Sequence, residues 1–325
     1  MLPPDSIRSM PQHNSALYRI NETTSYHRYG IKTLGWELTV CNALEGTESP
    51  CRDIIDKKQS FGNLLYEHLA CHIPVDAVTS IIEIGGGYGF IMRDFLRRNK
   101  KLKAAMIDVS PEIIKIQKRN LKGSDVEFIN EDFFLVDSDF LAPFDLVVLN
   151  EVAGDFPTIC DINPIVFSLS ASELDPMMLR VKNLFTSYGL PIPDNSCNLN
   201  IGAIDAVVKL CAAGIRYIYL SEHSCEAGVP EKMRNKIQIS AMGNPERIPL
   251  MGHDEYTIKF SHLSRIAKKF GYRVIRGQYK DFITYEYTGR VNFILTSNSQ
   301  KDEHEIIRHF IEDLYKYEYL ILIRD

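Results

Sequence analysis

Several features that define other protein classes are missing from this 325-residue sequence. No apolar run reaches the ~18 residues that a membrane-spanning helix requires. The N-terminus carries Pro3, Pro4 and Asp5 in place of a basic stretch followed by an apolar segment, which argues against a leader peptide. The net charge of −5 lacks the basic excess that is usual in general nucleic-acid binders. We therefore expect neither a membrane nor a nucleic acid as partner.

The cysteines also lack a pattern. Seven of them are scattered between Cys41 and Cys225 with no C-x-x-C pair. The spacings of histidines, cysteines and acids match no known set of metal ligands. An odd, dispersed set of cysteines is typical of reduced thiols inside the cell. The sequence therefore predicts a cytoplasmic protein without a bound metal.

Two common nucleotide-binding motifs are missing around the densest glycine cluster. No frame of Gly85, Gly86, Gly87 and Gly89 fits G-x-G-x-x-G, and no Gly-Lys-Ser/Thr follows. What is present is E-x-G-x-G-x-G, which begins at Glu83 and lies between an apolar, strand-like run and a helical pattern. Glycine permits positive φ and close backbone approach, and a helix N-terminus offers free N–H groups. The pattern predicts a ligand-binding turn, with a glycine-rich turn that binds nothing as the alternative.

Apolar and amphipathic segments alternate along the chain. Strands are predicted at residues 81–85, 103–108, 126–129, 144–150, 215–220, 272–275 and 291–295, the last entered through a hairpin at 285–290. Helices are predicted at 53–69, 89–99, 110–121, 174–184, 201–211, 261–270 and 304–314, whereas 317–323 fits either state. This order indicates an α/β fold with a Rossmann-like, mostly parallel sheet and helices on both faces.

The same pattern suggests three regions. Residues 1–60 are predicted to form an N-terminal arm and lid, residues 61–300 the main domain, and residues 301–325 a C-terminal helix and tail. Residues 156–212 are a long insertion within the main domain. Because long insertions at the ligand edge of a sheet often carry function, this one is either a cap over the substrate or a peripheral packing element.

Polar residues follow the predicted strands at their carboxyl ends, where parallel sheets bind ligands. Asp108 comes 23 residues after Gly85 and could accept hydrogen bonds from both hydroxyls of a ribose, a need that NAD and S-adenosylmethionine (SAM) share. Capping of the next helix is the alternative for Asp108. Glu151 and Asp155 follow the fourth strand, where a carboxylate could hold a guanidinium or an amine, or deprotonate a hydroxyl if burial raises its pKa.

The fifth strand is followed by Glu222 and His223, which would point into the same crevice. His223 is either a general base or a loop histidine that bonds to backbone. His27 lies in a polar, aromatic cluster and is predicted to be a surface or lid histidine that could touch a substrate. His253 and Asp254 are predicted to be part of a polar loop rather than a catalytic dyad.

Residues 60–300 resemble the Rossmann-like (class I) SAM-dependent methyltransferases. The resemblance rests on three motifs in order: Glu83–Gly89, Asp108 and Asn130–Asp132. It implies SAM as the cofactor, with Asp132 meeting the adenine amino group and Phe133 lying against the ring. A turn aspartate followed by core aromatics is the alternative for these two residues. The implied cofactor residues are Glu83, Gly85, Gly86, Gly87, Gly89, Asp108, Asp132, Phe133 and Asn150.

Within that superfamily the chain is similar to the MidA-like group, which includes a mitochondrial protein-arginine methyltransferase needed for respiratory complex I assembly. The similarity is carried by Phe61–Leu65, Asn150-Glu151 with Pro157, and Phe260–Leu263. It implies that Glu151 clamps an arginine. The chain departs from the group's pattern in four places. Gly86 replaces a residue that is usually proline, and Thr257 one that is usually histidine. The group's counterpart of Asp155 falls one position earlier, and the insertion 156–212 replaces the group's substrate region.

The sequence therefore predicts a SAM-dependent methyltransferase that acts on a nitrogen or oxygen nucleophile. Glu151, Asp155, Glu222 and His223 are predicted to face the methyl acceptor, which is either a protein arginine or a small metabolite. A non-catalytic SAM-binding or assembly factor is the alternative from another class, and a dehydrogenase is more distant. A homodimer is possible, but the sequence gives no oligomeric state.

Overall fold

The computed structural model describes residues 18–31, 39–237, 239, 241–297 and 299–324. The strands are β1 (Arg19–Asn21), β2 (Ser80–Ile84), β3 (Lys103–Ile107), β4 (Val126–Ile129), β5 (Leu146–Asn150), β6 (Thr158–Ile162), β7 (Cys197–Leu199), β8 (Tyr217–His223), β9 (Arg247–Pro249), β10 (Asp254–Tyr256), β11 (Arg273–Gln278) and β12 (Tyr317–Ile323). The α-helices are α1 (Thr24–Tyr29), α2 (Val40–Ala43), α3 (Pro50–Ile54), α4 (Phe61–Ala70), α5 (Phe90–Arg98), α6 (Pro111–Asn120), α7 (Ser138–Leu141), α8 (Pro176–Tyr188), α9 (Ile201–Ala212), α10 (Phe260–Lys269), α11 (Gly289–Thr296) and α12 (Asp302–Lys316).

Seven strands form the central sheet, in the order β11-β12-β8-β5-β2-β3-β4. Strands β8, β5, β2, β3 and β4 are parallel, whereas β12 pairs antiparallel with both β8 and β11. The prediction of a mostly parallel α/β sheet is confirmed. The chain passes from β2 outward to β3 and β4 on one side, then crosses to β5 and β8 on the other. The switch point, where such sheets bind ligands, therefore lies at the carboxyl ends of β2 and β5.

Both faces of the sheet are covered at its centre, where the strands are almost wholly apolar. Every residue of β2 and of β5 is buried. Ile81 belongs to one hydrophobic core, with residues of α4, α5 and α12, and its neighbour Ile82 belongs to the other, with residues of α8, α9 and α10. Successive strand residues point to opposite faces, so one apolar run anchors helices on both sides.

Two smaller pieces of sheet lie outside the central one. Strand β1 pairs antiparallel with β6, which pairs in turn with β7. Strands β9 and β10 form an antiparallel pair. None of these five short strands was predicted, because each has only three to five residues and such runs carry little periodic signal.

The structure corrects two predictions of secondary structure and decides one segment that the sequence left open. Residues 291–295 are not a strand and 285–290 do not begin a hairpin: the segment is helix α11, whose first turn is capped by the Thr288 hydroxyl accepting from the Val291 amide. Residues 317–323 are a strand, fully buried inside the sheet. The predicted helix 53–69 is two helices, because Ile55 is extended and bridges to Tyr285.

The C-terminal region is accordingly not a tail. Strand β12 lies between β8 and β11, so the predicted boundary at residue 300 cuts through the sheet. At the other end of the chain, α2 and α3 contribute Val40, Leu44 and Ile54 to the same core as α4. Residues 1–17 of the predicted arm lie outside the described residues. Among the helices that are described, none combines the length and the apolar character needed to cross a membrane.

Candidate active site

A cavity of about 690 Å³ lies at the switch point of the sheet. Its volume falls in the range of sites for cofactors and small molecules. Of the predicted site residues, Gly89 alone is outside its lining. Those that line it are Glu83, Gly85, Gly86, Gly87, Asp108, Asp132, Phe133, Asn150, Glu151, Asp155, Glu222 and His223.

The glycine turn after β2 exposes its backbone to this cavity. Gly85, Gly87 and Gly89 have φ of 62°, 50° and 79°, values that side chains with a Cβ disfavour. A Cβ on Gly85 would lie 2.3 Å from Cγ2 of Val152, so the turn and the loop after β5 pack directly together. Gly89 precedes α5 and adds no side-chain cap, which leaves the first amides of that helix available to a ligand.

Glu83 lies underneath this turn. A Cβ on Gly86 would come within 2.5 Å of both the Glu83 carboxyl carbon and Cε of Met106. Burial raises the pKa of Glu83 to about 8, against a smaller opposing effect of the Met92 amide. Glu83 therefore supports the turn from below, as well as contributing to the cavity wall.

Asp108, at the end of β3, faces the cavity but is already hydrogen-bonded. Its Oδ1 accepts from the Ser110 amide (2.9 Å) and its Oδ2 from Nε2 of Gln117 (3.1 Å). Burial raises its pKa to about 6. The capping role and the ligand role are compatible, because a carboxylate has about four acceptor positions and two remain for a pair of hydroxyls.

Asp132 and Phe133 lie at the end of the cavity nearest to β4. The Asp132 carboxylate accepts from the Phe134 amide (2.9 Å) and so caps a short 3-10 helix. Phe133 is buried, with Phe156 stacked at a ring distance of 6.2 Å. The alternative stated for these two residues, a turn aspartate followed by core aromatics, is thus present in the structure. Both residues nevertheless line the cavity.

Glu151 is held in an unusual conformation directly after β5. Its φ is 54°, one of two positive values among the non-glycine residues described, and such strain is concentrated at functional sites. Its Oε1 accepts from the Tyr279 hydroxyl (3.2 Å) and from Nδ2 of Asn150 (3.3 Å). Its buried Oε2 has no hydrogen-bond partner among the described residues. Burial raises the pKa of Glu151 to about 7, although His223 pulls in the opposite direction.

Asn150 contacts Glu151 and the side chains that support it. Its Oδ1 accepts from the Ser221 hydroxyl (3.0 Å) and lies 3.0 Å from the Tyr279 hydroxyl, whose single proton it shares with Glu151. Tyr279 is fully buried and stacks on Tyr317, with ring centroids 4.9 Å apart. Sequence reasoning missed Tyr279, which nothing in its local sequence distinguishes from a core aromatic residue.

Glu222 and His223 are adjacent in β8 but have different surroundings. Glu222 is used structurally, since its carboxylate accepts from the Gly154 amide (2.9 Å) and the His223 amide (2.8 Å). Burial, with Glu255 adding to it, raises the pKa of Glu222 to about 8. His223 stacks on Tyr317 at 3.9 Å. Burial opposes its positive charge, but the neighbouring Asp313 carboxylate raises its pKa above the ordinary value.

Asp155 lies between two histidines that the sequence did not group with it. Its Oδ1 is 2.7 Å from Nε2 of His27 and 3.3 Å from Nε2 of His253. Burial opposes the charge on Asp155, but the two histidines lower its pKa below the ordinary value. Burial likewise opposes the charge on His253, while Asp155 and Glu255 raise its pKa to about 10. His253 thus lies in the turn between β9 and β10, and its acidic neighbours are Asp155 and Glu255.

The cavity is covered by two segments other than the insertion 156–212. Residues of the N-terminal region line it between Thr23 and Asn42, and residues of the segment that carries β9 and β10 line it between Ile239 and Thr257. The two segments are joined by hydrogen bonds from Asn21 to the Asp254 carbonyl (2.8 Å) and from Tyr26 to the Met251 carbonyl (3.0 Å). From 156–212, only Phe156 reaches the lining. The rest packs against the sheet and α10.

Comparison with known proteins shows where this architecture occurs. A family model for the methyltransferase small domain matches residues 53–151. The chain has the fold of an uncharacterised protein from Burkholderia thailandensis, with 14% identity, a TM-score of 0.54, and coverage of 95% of this chain and 88% of the other. A member of the same superfamily from that organism, bound to S-adenosyl-homocysteine, gives 14% identity, a TM-score of 0.52, and coverage of 88% and 78%.

A curated relative matches a shorter stretch. The polyamine aminopropyltransferase 1 of Aquifex aeolicus is 29% identical over 106 residues, which are 30% of this chain and 37% of that protein. The match thus spans well under half of the relative's length. The two solved structures confirm the predicted fold, and the family model matches a methyltransferase domain over residues 53–151.

Proposed function

We propose that this protein is a SAM-dependent methyltransferase that methylates a basic nitrogen bound by Glu151. The observation that carries the proposal is the state of the Glu151 carboxylate. It lies at the switch point of a class I methyltransferase fold, and its Oε2 is buried with no hydrogen-bond partner among the described residues. A buried carboxylate oxygen without a partner is destabilising, so its retention fits a binding role for a donor from outside the chain.

The other end of the cavity fits SAM. The backbone of Gly85, Gly86 and Gly87 offers a surface without side chains for the methionine part, and Asp108 retains acceptor positions for the ribose hydroxyls. Asp132 and Phe133 also line the cavity and would contact the adenine. Bound SAM would supply a methyl group on a sulfonium sulfur, which leaves as a neutral thioether. The protein therefore has to hold the nucleophile in line with that bond and accept its proton.

The charge of the cavity favours a cationic acceptor. Its lining contains the acids Glu151, Asp155, Glu222, Glu246, Glu255 and Asp313 near the acceptor end, against the bases His27, His223 and Lys316. Burial keeps Glu222 largely protonated near neutral pH, so the other carboxylates of this set, with Glu151 among them, are the groups that would attract and orient an ammonium or guanidinium group. Because Oε1 of Glu151 already accepts from Tyr279 and Asn150, the acceptor nitrogen would bond to Oε2. An arginine side chain of a protein belongs to this class of acceptor.

A second candidate, methylation of a hydroxyl, is favoured by one observation. The pKa of Glu151 is about 7, which is near the optimum for a general base at neutral pH. In that reaction Glu151 would take the proton of the hydroxyl while the oxygen attacks the methyl group. A rate that rises with pH through about 7 is expected for this case.

Radiolabelled SAM distinguishes these functions. The protein is incubated with labelled SAM and a lysate that is then divided into protein and small-molecule fractions, with Glu151→Gln as the paired control. We expect label on an amine or guanidine, stable to mild alkali and absent with the variant. Label in an alkali-labile ester or in an ether would overturn the nitrogen proposal. SAM binding by calorimetry with no transfer into any fraction would indicate the non-catalytic binding protein instead.

The compartment is proposed from the cysteines, and the oligomeric state from the sequence. All seven cysteines lie within the described residues and none forms a disulfide, which supports a reducing compartment such as the cytoplasm. The homodimer stays a prediction from sequence. Sedimentation of the purified chain would test it.

A further inference from the structure

His27, Asp155 and His253 come from three separate parts of the chain and meet at one point. His27 belongs to α1, Asp155 to the short 3-10 helix after β5, and His253 to the turn between β9 and β10. One ligand-type atom from each residue, an imidazole nitrogen or a carboxylate oxygen, lies within 4.8 Å of the other two. Asp155 Oδ1 is the common neighbour, at 2.7 Å from His27 and 3.3 Å from His253.

This geometry is close to that of a metal site. Ligand atoms held about 2.0–2.2 Å from a zinc ion lie about 3.3–3.6 Å apart in a tetrahedron. The separation of Asp155 from His253 is in that range, and that of Asp155 from His27 requires a small outward movement of one side chain.

The set of donors selects the class of metal. Two imidazoles and one carboxylate suit zinc and the neighbouring transition metals, whereas Mg²⁺ and Ca²⁺ prefer ligands that are all oxygen. Both imidazoles lie beside the Asp155 carboxylate already, at 2.7 Å and 3.3 Å. Imidazoles bind a metal in their neutral form, so affinity for the ion should rise with pH.

Surrounding contacts orient the three ligands. The Tyr26 ring stacks on His253 at 4.3 Å, and the Thr23 hydroxyl donates to the backbone carbonyl of Asp155 (2.7 Å). Outer contacts of this kind are part of functional metal sites.

We propose that His27 Nε2, Asp155 Oδ1 and His253 Nε2 bind a divalent transition-metal ion, with zinc as the reference ion. His27 and Asp155 line the cavity that contains Glu151, so the remaining coordination position faces the acceptor. Three protein ligands and one open position are typical of zinc sites that bind a substrate atom. The metal would fix an oxygen or nitrogen donor of the acceptor. Binding of the ion itself does not depend on the proposed methyl transfer.

The test measures metal binding without any activity. The full chain is treated with a chelator, dialysed, and titrated with Zn²⁺ against a chromophoric competitor and with Co²⁺ by visible spectroscopy. We expect one ion per chain and d–d bands of tetrahedral intensity. Each of His27→Ala, Asp155→Asn and His253→Ala should weaken binding by at least about 100-fold, more than the loss of an outer contact. His309→Ala, at an exposed histidine, is the matched control and should bind as the wild type does.

The outcomes are decisive in either direction. Wild-type affinity in any of the three ligand variants, or wild-type binding no tighter than that of a triple variant, overturns the site. Circular dichroism identifies a variant that fails to fold. His253→Gln, which keeps a polar side chain of similar reach, replaces it in that case. Because methyl transfer to a basic nitrogen is assayed separately, failure of the metal site leaves the proposed function standing, and the reverse also holds.

Discussion

Replacing Glu151 by glutamine should stabilise the fold and abolish methyl transfer. Burial raises the pKa of Glu151 from 4.5 to about 7. The folded state therefore holds this proton more tightly than the unfolded state, and stability is lost as the pH rises from 4.5 to 7 and stays lost above it. Glutamine keeps the shape of the side chain and an oxygen for the Tyr279 hydroxyl but does not titrate.

The size of the effect follows from the two pKa values. Linkage gives a cost to the wild type of about 0.8 kcal/mol at about pH 5 and about 3 kcal/mol at about pH 8. The advantage of Glu151→Gln in free energy of unfolding should therefore grow by about 2.5 kcal/mol between these pH values. Glu83, Glu222 and Asp108 also titrate, but they are present in both proteins and cancel in the difference.

Urea unfolding followed by circular dichroism measures this difference at each pH. Glu127→Gln is the matched control, since Glu127 is an exposed acid on β4 and its replacement should give no pH-dependent difference. The rate of methyl transfer by Glu151→Gln should fall at least about 100-fold, because the charge-assisted hydrogen bond that holds the acceptor nitrogen in line with the methyl group is lost. A variant that gains no stability at high pH, or that keeps its rate, would refute the reasoning about Glu151.

Three further predictions concern the cofactor end and the support of Glu151. Asp108→Ala should weaken SAM binding by roughly 100-fold in calorimetry, because two charge-assisted hydrogen bonds are lost, whereas Glu151→Ala should change it little; equal losses would mean that the two ends are misassigned. Tyr279→Phe removes a donor to the ionised Glu151 (3.2 Å), so the pH–rate profile should move up by about one pH unit, and an unmoved profile would contradict the contact. Gly86→Ala places a Cβ 2.5 Å from the Glu83 carboxyl carbon and should abolish SAM binding in the same calorimetric assay, while Gly228→Ala, in open space, should not; binding by the first variant would contradict the packing under the turn.

The sheet was predictable because its signal is local. Strands β2, β3, β4, β5 and β8 are apolar runs bounded by polar or glycine residues, and their burial on both faces requires such runs. The order of elements then restricts the topology. What local pattern could not decide was which of two apolar segments near the C-terminus enters the sheet. Residues 317–323 take that place with all seven residues buried, so 291–295 are left to form a helix under the Thr288 cap.

The break in the predicted helix 53–69 has a related cause. Its apolar residues keep helical spacing, and the stretch around Ile55 contains no glycine or proline that would end a helix there. Ile55 nevertheless leaves the helix and pairs with Tyr285, while the Thr284 carbonyl accepts from the Asp56 amide (2.9 Å). A contact between residues so far apart in sequence overrides local propensity, and no window along the chain contains it.

The difference between local signals and long-range contacts also separates the cofactor end of the site from the acceptor end. The cofactor half is built from the ends of consecutive strands, so motif and spacing are enough to place its residues together. The acceptor half depends on pairs that are far apart: His27 and Asp155 are 128 positions apart, and so are Glu151 and Tyr279. Sequence could therefore name Glu151 but not choose between a clamp and a base, because that choice depends on which of its oxygens is already bonded.

The bonding of the two Glu151 oxygens favours the clamp. Oε1 is taken by Tyr279 and Asn150, and Oε2 is buried without a partner among the described residues. The carboxylate therefore has one position for a donor. A single N–H of an amine or guanidine fills that position without first removing a proton from the acceptor.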